Sequence, residues 1–416
     1  VIDAALESLS EEDGRFWPRA DRYWNARGGS HTDGGAFIFS VVPDGDSFRL
    51  QCTNKFGERI TLGDAPQPHT LVHEEASEAG VIPDAPAEEA FTVFREAVPE
   101  WGYGELRGFL HEVEKRPRKE AIMLLTLLLD RRYPTRNLRR SSLLALVDES
   151  LEQIFDSVAG DECDDFCAGK GDPNGRVVVL DARLFDIEGP SSLAIGLGEL
   201  VKKGWRTFVI FGCHGHRFIA NGFGAGSSEV RIDVYGSSGD YLGSGIDGAR
   251  VVVHGNGQDQ LGQILKSGEL VVHGDVGQTF MYGAKGGHVF IQGNAAGRPL
   301  INSVGRPRVV INGTCLDYLA ESFMAGDPLK DGGFVILNGL EWDDGGELCE
   351  LPTPYPGGNL FSLASGGAIY IRDPHQRVST DQLNGGDFAP FTSADWEVVE
   401  PLLKQNEQEF GISAQI

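Results

Sequence analysis

Residues 250–255 read RVVVHG, and similar segments follow as ELVVHG at 269–274, HVFIQG at 288–293, RVVING at 308–313 and FVILNG at 334–339. Each is a short β-branched run that ends in glycine. The repeated glycines stand 19, 19, 19, 20 and 26 residues apart, at Gly236, Gly255, Gly274, Gly293, Gly313 and Gly339. A fixed short period is typical of a solenoid, whose repeats bury their apolar faces against one another. The sequence therefore predicts a mainly β fold, a right-handed parallel β-helix, with structural glycines supplying positive φ angles at tight corners.

The rest of the chain is organised around these repeats. The sequence of residues 1–85 predicts a small β/loop module, with strands in GGAFIFSVV, SFRLQCT and ERITLG and a hairpin turn at PDGD. It also predicts a short helix whose N-cap is Ser8 or Ser10. Residues 86–160 predict a helical module, because apolar residues recur about every 3.6 positions. Together they form an N-terminal mixed α+β region.

Residues 176–412 predict the glycine-repeat domain, with coils at about 208–372. An α/β lead-in precedes the coils, as a strand at 176–181, a helix at 191–203 and a strand at 205–211. A terminal helix at 391–411 is expected to cap one end of the coil, because a solenoid must hide its exposed edges.

Bulk composition argues against several classes of function. The chain has 416 residues and a formal net charge of −25, whereas nucleic-acid and anionic-membrane binders need a basic surface. The longest apolar run, AIMLLTLLL at 121–129, is shorter than the ~18–20 residues that span a bilayer. Six scattered cysteines and an N-terminal stretch without signal-peptide character predict a reducing, cytoplasmic location.

One basic cluster interrupts this acidic chain. It consists of Arg131, Arg132, Arg136, Arg139 and Arg140. One interpretation is solvated helix ends, where basic side chains are favoured. The other is a docking patch for an acidic partner subunit or electron carrier.

Two groups of residues are candidate metal ligands. Cys163 and Cys167 form a C-x3-C pair, and Cys213, His214 and His216 stand together in the second lead-in strand region. Zinc and cluster sites more often use C-x2-C and need further ligands, so structural or free thiols are the competing interpretation.

Two histidines occupy equivalent positions of the repeat. His254 and His273 are 19 residues apart and should stack on successive coils, while no carboxylate occurs at that position of the repeat. This favours a structural ladder. Asp240, Asp259 and Asp317 follow their coil glycines, and hydrogen bonding to the local turn is the expected role.

The repeats resemble the glycine-repeat (GXGXG) β-helix domain of glutamate synthases, which also occurs as a stand-alone subunit of archaeal-type glutamate synthases. The resemblance is carried by GNGQDQLG at 255–262, GDVGQTFMYGAKGGHVFIQG at 274–293 and FMAGDPLKDGGFVILNGL at 323–340, and it covers about residues 176–411. A related form occurs in one of the subunits of formylmethanofuran dehydrogenase and of formyltransferase/hydrolase complexes. The resemblance does not extend to residues 1–175. Gly243 and Gly262 supply the second glycine of the pattern, but Met281, Leu300 and Leu319 stand near that place in later coils, which predicts a less regular stack.

The resemblance implies a scaffold without reacting groups, cofactors or metal of its own. In glutamate synthases the chemistry lies in a glutaminase domain and a flavin-binding barrel with an iron–sulfur cluster. The expected function is therefore a structural subunit that positions flavin and iron–sulfur partner subunits. One alternative is a scaffold of a formylmethanofuran dehydrogenase/formyltransferase-type complex, with molybdenum or tungsten on a partner. Another is an independent metal-binding enzyme that uses Cys163, Cys167, His214 and His216.

Overall fold

The computed structural model describes residues 85–160, 165–173, 175–343 and 346–414, together with the backbone of five short strands before residue 61. These strands are β1 (Leu9–Glu12), β2 (Arg15–Pro18), β3 (Ile38–Asp44), β4 (Ser47–Thr53) and β5 (Arg59–Ile60). The predicted hairpin is confirmed, because Asp44 lies opposite Ser47. The helix predicted near Ser8 or Ser10 is wrong. That segment is β1, which pairs with β2, so strand pairing overrides the local helix signal.

Four helices follow, as the apolar periodicity predicts. They are α1 (Ala87–Ala97), α2 (Tyr103–Glu114), α3 (Arg118–Asp130) and α4 (Arg140–Gly160). Local signals explain their starts. Helix α3 begins directly after Pro117, and the side chain of Glu105 accepts a hydrogen bond from the Gly102 amide at 3.0 Å at the start of α2.

A ten-stranded parallel sheet forms the main body of the described chain. Its strands follow chain order: β6 (Phe166–Cys167), β7 (Val177–Asp181), β8 (Thr207–His214), β9 (Arg231–Ser237), β10 (Asp247–His254), β11 (Ser267–Val272), β12 (His288–Ile291), β13 (Arg308–Ile311), β14 (Phe334–Leu337) and β17 (Ala368–Ile371). Helix α5 (Leu193–Lys202) connects β7 to β8, which confirms the predicted lead-in. A separate antiparallel hairpin, β15 (Leu340–Trp342) with β16 (Leu348–Glu350), interrupts the order.

The repeat period sets the register of this sheet. Equivalent residues are paired across successive strands, along the line Val251, Leu270, Val289, Val309 and Val335. The loops hydrogen-bond between repeats as well: the Gly257 amide donates to the Asp275 carbonyl at 2.9 Å, and the Thr279 amide donates to the Gly297 carbonyl at 3.0 Å. The parallel β architecture is thus confirmed. The sheet is open, with β6 and β17 at its edges, and the winding into a right-handed β-helix stays a prediction.

The second glycine position keeps its backbone geometry even where glycine is replaced. Gly243 and Gly262 have φ of 71° and 64°, and Met281 and Leu300 have φ of 60°. In the next repeat the equivalent residue is Ala320, with φ of 57°, rather than Leu319. The expected irregularity is therefore wrong at this corner, although a left-handed conformation costs a non-glycine residue roughly 1–2 kcal/mol.

Both faces of the sheet are apolar, so both must be covered. Val251 and Val253 point into one cluster, whereas Val252, Val271 and Phe290 belong to another on the opposite face. Strands buried on both faces read as continuous apolar runs, as these do. Helices α1–α4 cover the outer face at β7, β8 and β9.

The C-terminal helix α6 (Ser393–Phe410) covers the next part of the outer face. Tyr370 on β17 donates to Asp395 near its start, at 3.0 Å, and Arg250 on β10 bonds Glu409 near its end, at 3.0 Å. The helix therefore crosses the strands from β17 to β10. The expectation that it caps an end of the coil is wrong, because the apolar outer side chains of the strands need a cover. No helix in the described ranges has the length and apolar character needed to cross a membrane.

Candidate functional site

A line of buried polar side chains runs across the ends of the repeat strands. These residues directly precede the repeated glycines; they are Tyr235, His254, His273, Gln292, Asn312 and Asn338. The Tyr235 and His254 rings stack with centroids 4.2 Å apart, and those of His254 and His273 stack at 5.5 Å. The predicted stacking of His254 on His273 is confirmed. The period of the repeat causes it, because parallel pairing brings equivalent residues together.

Asp130 reaches this line from outside the repeats. Its Oδ2 lies 2.8 Å from His254 Nδ1 and 3.4 Å from His273 Nε2. On the far side of the ring, His254 Nε2 lies 3.2 Å from Oδ1 of Asp233, a residue of β9. Asp130, His254 and His273 offer three ligand atoms that all lie within 4.8 Å of one another.

The geometry explains why sequence reasoning missed Asp130. It is the last residue of α3 and lies 124 positions from His254. One local signal was available: Asp130 ends the apolar run LLTLLLD, where the negative end of the helix dipole disfavours a carboxylate. A buried anion in that place requires a cationic or metal partner.

The charges in the cluster follow from burial and from these contacts. Burial alone would lower the pKa of His254, but the carboxylates of Asp130 and Asp233 outweigh it and raise that pKa to about 10. Burial, together with the charge of His254, lowers the pKa of His273 to about 4. Burial opposes ionisation of Asp130, but the two histidines keep its pKa below the usual value. At neutral pH the cluster thus holds a charged His254 between two carboxylates, beside a neutral His273.

Three buried polar atoms around Asp130 have no hydrogen-bond partner within the described part of the chain. They are Asp130 Oδ1, His273 Nδ1 and Gln292 Oε1. The Gln292 amide donates to the main-chain carbonyl of Asp130 at 2.9 Å, which leaves its oxygen unused. Buried polar groups are nearly always satisfied, so a group of unsatisfied atoms needs an explanation.

The other predicted metal ligands do not come together in this way. Cys163 lies outside the described residues. Cys167 is buried in β6, Cys213 is buried at the end of β8, and β7 separates these strands. His216 is buried and its Nδ1 accepts from the His214 amide at 3.3 Å, while the His214 side chain is exposed. Burial raises the pKa of the Cys213 thiol to about 12, which makes a thiolate ligand unfavourable.

Most of the arginines in the predicted patch make contacts within the chain. Arg131 donates to the Gln408 carbonyl at 2.9 Å, Arg132 lies over the Trp342 ring, and Arg140 lies over the Tyr133 ring. Arg136 is exposed and pairs with Glu100 at 3.0 Å, and Arg139 is also exposed. Only these last two of the five present their side chains openly to a partner.

The repeated glycines stack on one another. A Cβ at Gly255 would lie 2.5 Å from the Gly236 carbonyl oxygen, and one at Gly313 would lie 2.8 Å from that of Gly293. Only Gly236 and Gly339 of the six have positive φ. The expected reason, positive φ at each corner, is therefore wrong for the other four, which are needed because the backbones approach closely.

Acidic and amide side chains beside the glycines connect one repeat to the next. Asp240 Oδ1 accepts from the Asp259 amide at 3.2 Å, and Asp259 Oδ1 accepts from the Gln278 amide at 2.8 Å. Asn256 and Asp275 form a second such series, accepting from amides 19 residues further along. Asp240 and Asp259 thus bond amides of the next repeat, beyond the local turn where their bonds are expected, because the stacking brings that repeat within reach.

Residues 209–413 match the family model described as the GXGXG motif. No curated protein and no solved structure matches the chain.

Proposed function

Because residues 209–413 belong to the GXGXG motif family, the glycine-repeat domain of glutamate synthases, we propose that this chain is a non-catalytic scaffold subunit of a glutamate-synthase-like oxidoreductase complex. Its repeats wind as a right-handed parallel β-helix within residues 176–412, preceded by the helical module 86–160 and the small β/loop module 1–85. Its place of action is the cytoplasm. The family match is the single observation that carries this proposal.

The hydrogen bonds between repeats favour a scaffold role. Each repeat hydrogen-bonds to the next through its strand, its loop amides and its Asn or Asp side chains, as between Asn256 and Asp275 at 2.9 Å. Because neighbours hold one another along the whole stack, the body resists bending. A rigid body of this kind suits the positioning of separate catalytic subunits at fixed distances.

The reacting groups belong to the partners. We propose that flavin and iron–sulfur clusters reside on partner subunits, and that this chain contributes surfaces. Arg136 and Arg139 are its openly exposed part of the basic cluster. Their charge suits an acidic partner and would accelerate its association.

Purification of the tagged full chain from its own source tests the proposal. We expect a stoichiometric complex that contains flavin, iron and a glutaminase, and that turns over glutamine with a reductant, whereas the isolated chain has no turnover. A complex with a molybdenum or tungsten enzyme would replace this proposal with the formylmethanofuran dehydrogenase type. Turnover by the isolated chain would overturn the scaffold role.

A pair of charge reversals tests the docking surface in that complex. Arg136 is 66% exposed and pairs with Glu100; Lys330 is 83% exposed and pairs with Asp327. We expect Arg136→Glu to slow assembly and to weaken its salt dependence. The matched variant Lys330→Glu should assemble like the unmodified chain. Equal behaviour of the two variants would remove Arg136 from the interface.

A further inference from the structure

We propose that Asp130, His254 and His273 form a binding site for a divalent first-row cation of the zinc class. The cation would sit between α3 and the ends of β10 and β11, and would join the helical module to the repeat sheet. No part of the scaffold function requires this site, and the proposal stands on the geometry of the cluster.

The distances suit such an ion. Asp130 Oδ2 lies 2.8 Å from His254 Nδ1 and 3.4 Å from His273 Nε2. Zinc bonds nitrogen and oxygen at ~2.0–2.2 Å in tetrahedral geometry, which places neighbouring ligand atoms roughly 3.3–3.6 Å apart. To bind the ion, Asp130 and His254 must move slightly apart, and the two rings, whose planes are 15° apart, must turn toward a common point. Two imidazoles and a carboxylate are also a donor set that zinc accepts.

The unsatisfied buried atoms supply an independent reason. Asp130 Oδ1 and Gln292 Oε1 are buried acceptors without partners in the described chain, and Gln292 is fully buried. A cation at Asp130 can also engage Oδ1, the carboxylate oxygen that the bond to His254 leaves unused. The Gln292 oxygen would then lie beside the ligands of the cation, because the Gln292 side-chain nitrogen donates to the main-chain carbonyl of Asp130.

Asp233 completes the arrangement. His254 Nε2 lies 3.2 Å from Asp233 Oδ1, so the ring can donate there while Nδ1 faces the cation. Metal-bound histidines usually donate their second nitrogen to such an acceptor, which fixes ring orientation and tautomer. On binding, the proton on Nδ1 of His254 is released to solvent, and the cation replaces the hydrogen bond between His254 and Asp130. Arg131, the next residue in the chain, directs its guanidinium to the Gln408 carbonyl at 2.9 Å.

Metal loading of the full chain tests this proposal. After chelation and dialysis, the chain is titrated with Zn²⁺ alone and, separately, with Co²⁺. We expect about one equivalent to bind, a rise in melting temperature with Zn²⁺, and a Co²⁺ spectrum of tetrahedral nitrogen and oxygen ligation. A thiolate-to-cobalt charge-transfer band would instead place the ion at cysteines and overturn the assignment, as would failure to bind either ion.

The variant His273→Gln separates the site from general stability. Glutamine already occupies the equivalent position of the next repeat, at Gln292, so this variant should fold. We expect it to lose affinity for Zn²⁺ by roughly 10–100-fold or more and to lose the Zn²⁺-dependent rise in melting temperature. The control is His111→Gln, whose side chain is 65% exposed on α2, and it should bind like the unmodified chain. Unchanged affinity in a folded His273→Gln chain would overturn the proposal.

Discussion

At the scale of single residues, the repeated glycines stand where the backbones of successive repeats approach closely. Gly255, Gly274, Gly293 and Gly313 are required by contact between successive backbones, with no positive φ to explain them. The side chain before each glycine is buried and the side chain after several of them bonds the next repeat. A substitution at one of these glycines therefore disturbs both the buried polar line before it and the hydrogen bonds between repeats after it.

We expect Gly274→Ala to destabilise the protein. The new Cβ would collide with Asn256 Oδ1 and lie 2.7 Å from the Gly255 carbonyl oxygen, and overpacking of this kind costs about 1–3 kcal/mol. Gly198→Ala in α5 is the matched control, because a Cβ there meets nothing within 4 Å and alanine should add roughly 0.5–1 kcal/mol of helix stability. Urea unfolding measures both. A neutral Gly274→Ala would refute close backbone contact at this position.

At the scale of elements, α6 is attached to the sheet by a buried amide pair. The Asn406 and Asn312 side chains donate to one another at 2.9 Å in both directions, and Asn338 also donates to Asn312 at 2.9 Å. Leu402 and Phe410, four residues before and after Asn406, are buried in the apolar cluster between the helix and the sheet. The amide pair therefore fixes the helix at one position along β13, where apolar packing alone would allow it to slide.

We expect Asn406→Leu to weaken this attachment. It leaves Asn312 with fewer buried partners, which costs about 1–3 kcal/mol even though leucine is similar in volume. Gln408→Leu, on the exposed side of the same helix, is the control and should change unfolding free energy little. Hydrogen exchange of α6 amides provides the local measurement. Equal exchange rates in both variants would show that apolar packing alone holds the helix.

At the scale of the whole molecule, the helical module and the repeat sheet share one core. Phe155 of α4 packs against Phe211 of β8 and Tyr235 of β9, with ring centroids 5.4 and 5.0 Å apart. The Tyr235 hydroxyl bonds Thr126 of α3 at 2.7 Å, and Asp130 reaches His254 from the same helix. These contacts predict that α1–α4 and the sheet unfold together.

Phe155→Ala tests that coupling. Phe155 is fully buried, and truncation of such a ring costs about 3–5 kcal/mol. We expect the whole cooperative transition to move to lower denaturant, with helix amides and β8–β10 amides losing protection in parallel. Met123→Ala, on an exposed position of α3, should leave the transition in place. Separate transitions for helices and sheet would show two independently stable units.

The repeat strands, their parallel register and the stacking of His254 on His273 could all be predicted from the amino-acid sequence. These follow from local composition and a constant period, because parallel pairing of equal repeats aligns equal positions. The sequence also indicated the four N-terminal helices, whose apolar spacing is a local property. The reason for the glycines and the bonds of Asp240 and Asp259 to the next repeat do not follow from the sequence pattern, because both depend on how closely successive repeats approach.

The elements that cover the sheet and the residue that contacts its buried polar line become visible only in the folded chain. Helix α6 lies across the outer face instead of at an end, and Asp130 enters from a helix 124 residues before His254. These partners are not related by the repeat period, so the sequence pattern does not predict their contacts. The cause is burial, because the two apolar faces of the sheet must be covered and the buried carboxylate must be paired. Which residues do this depends on how distant parts of the chain pack together.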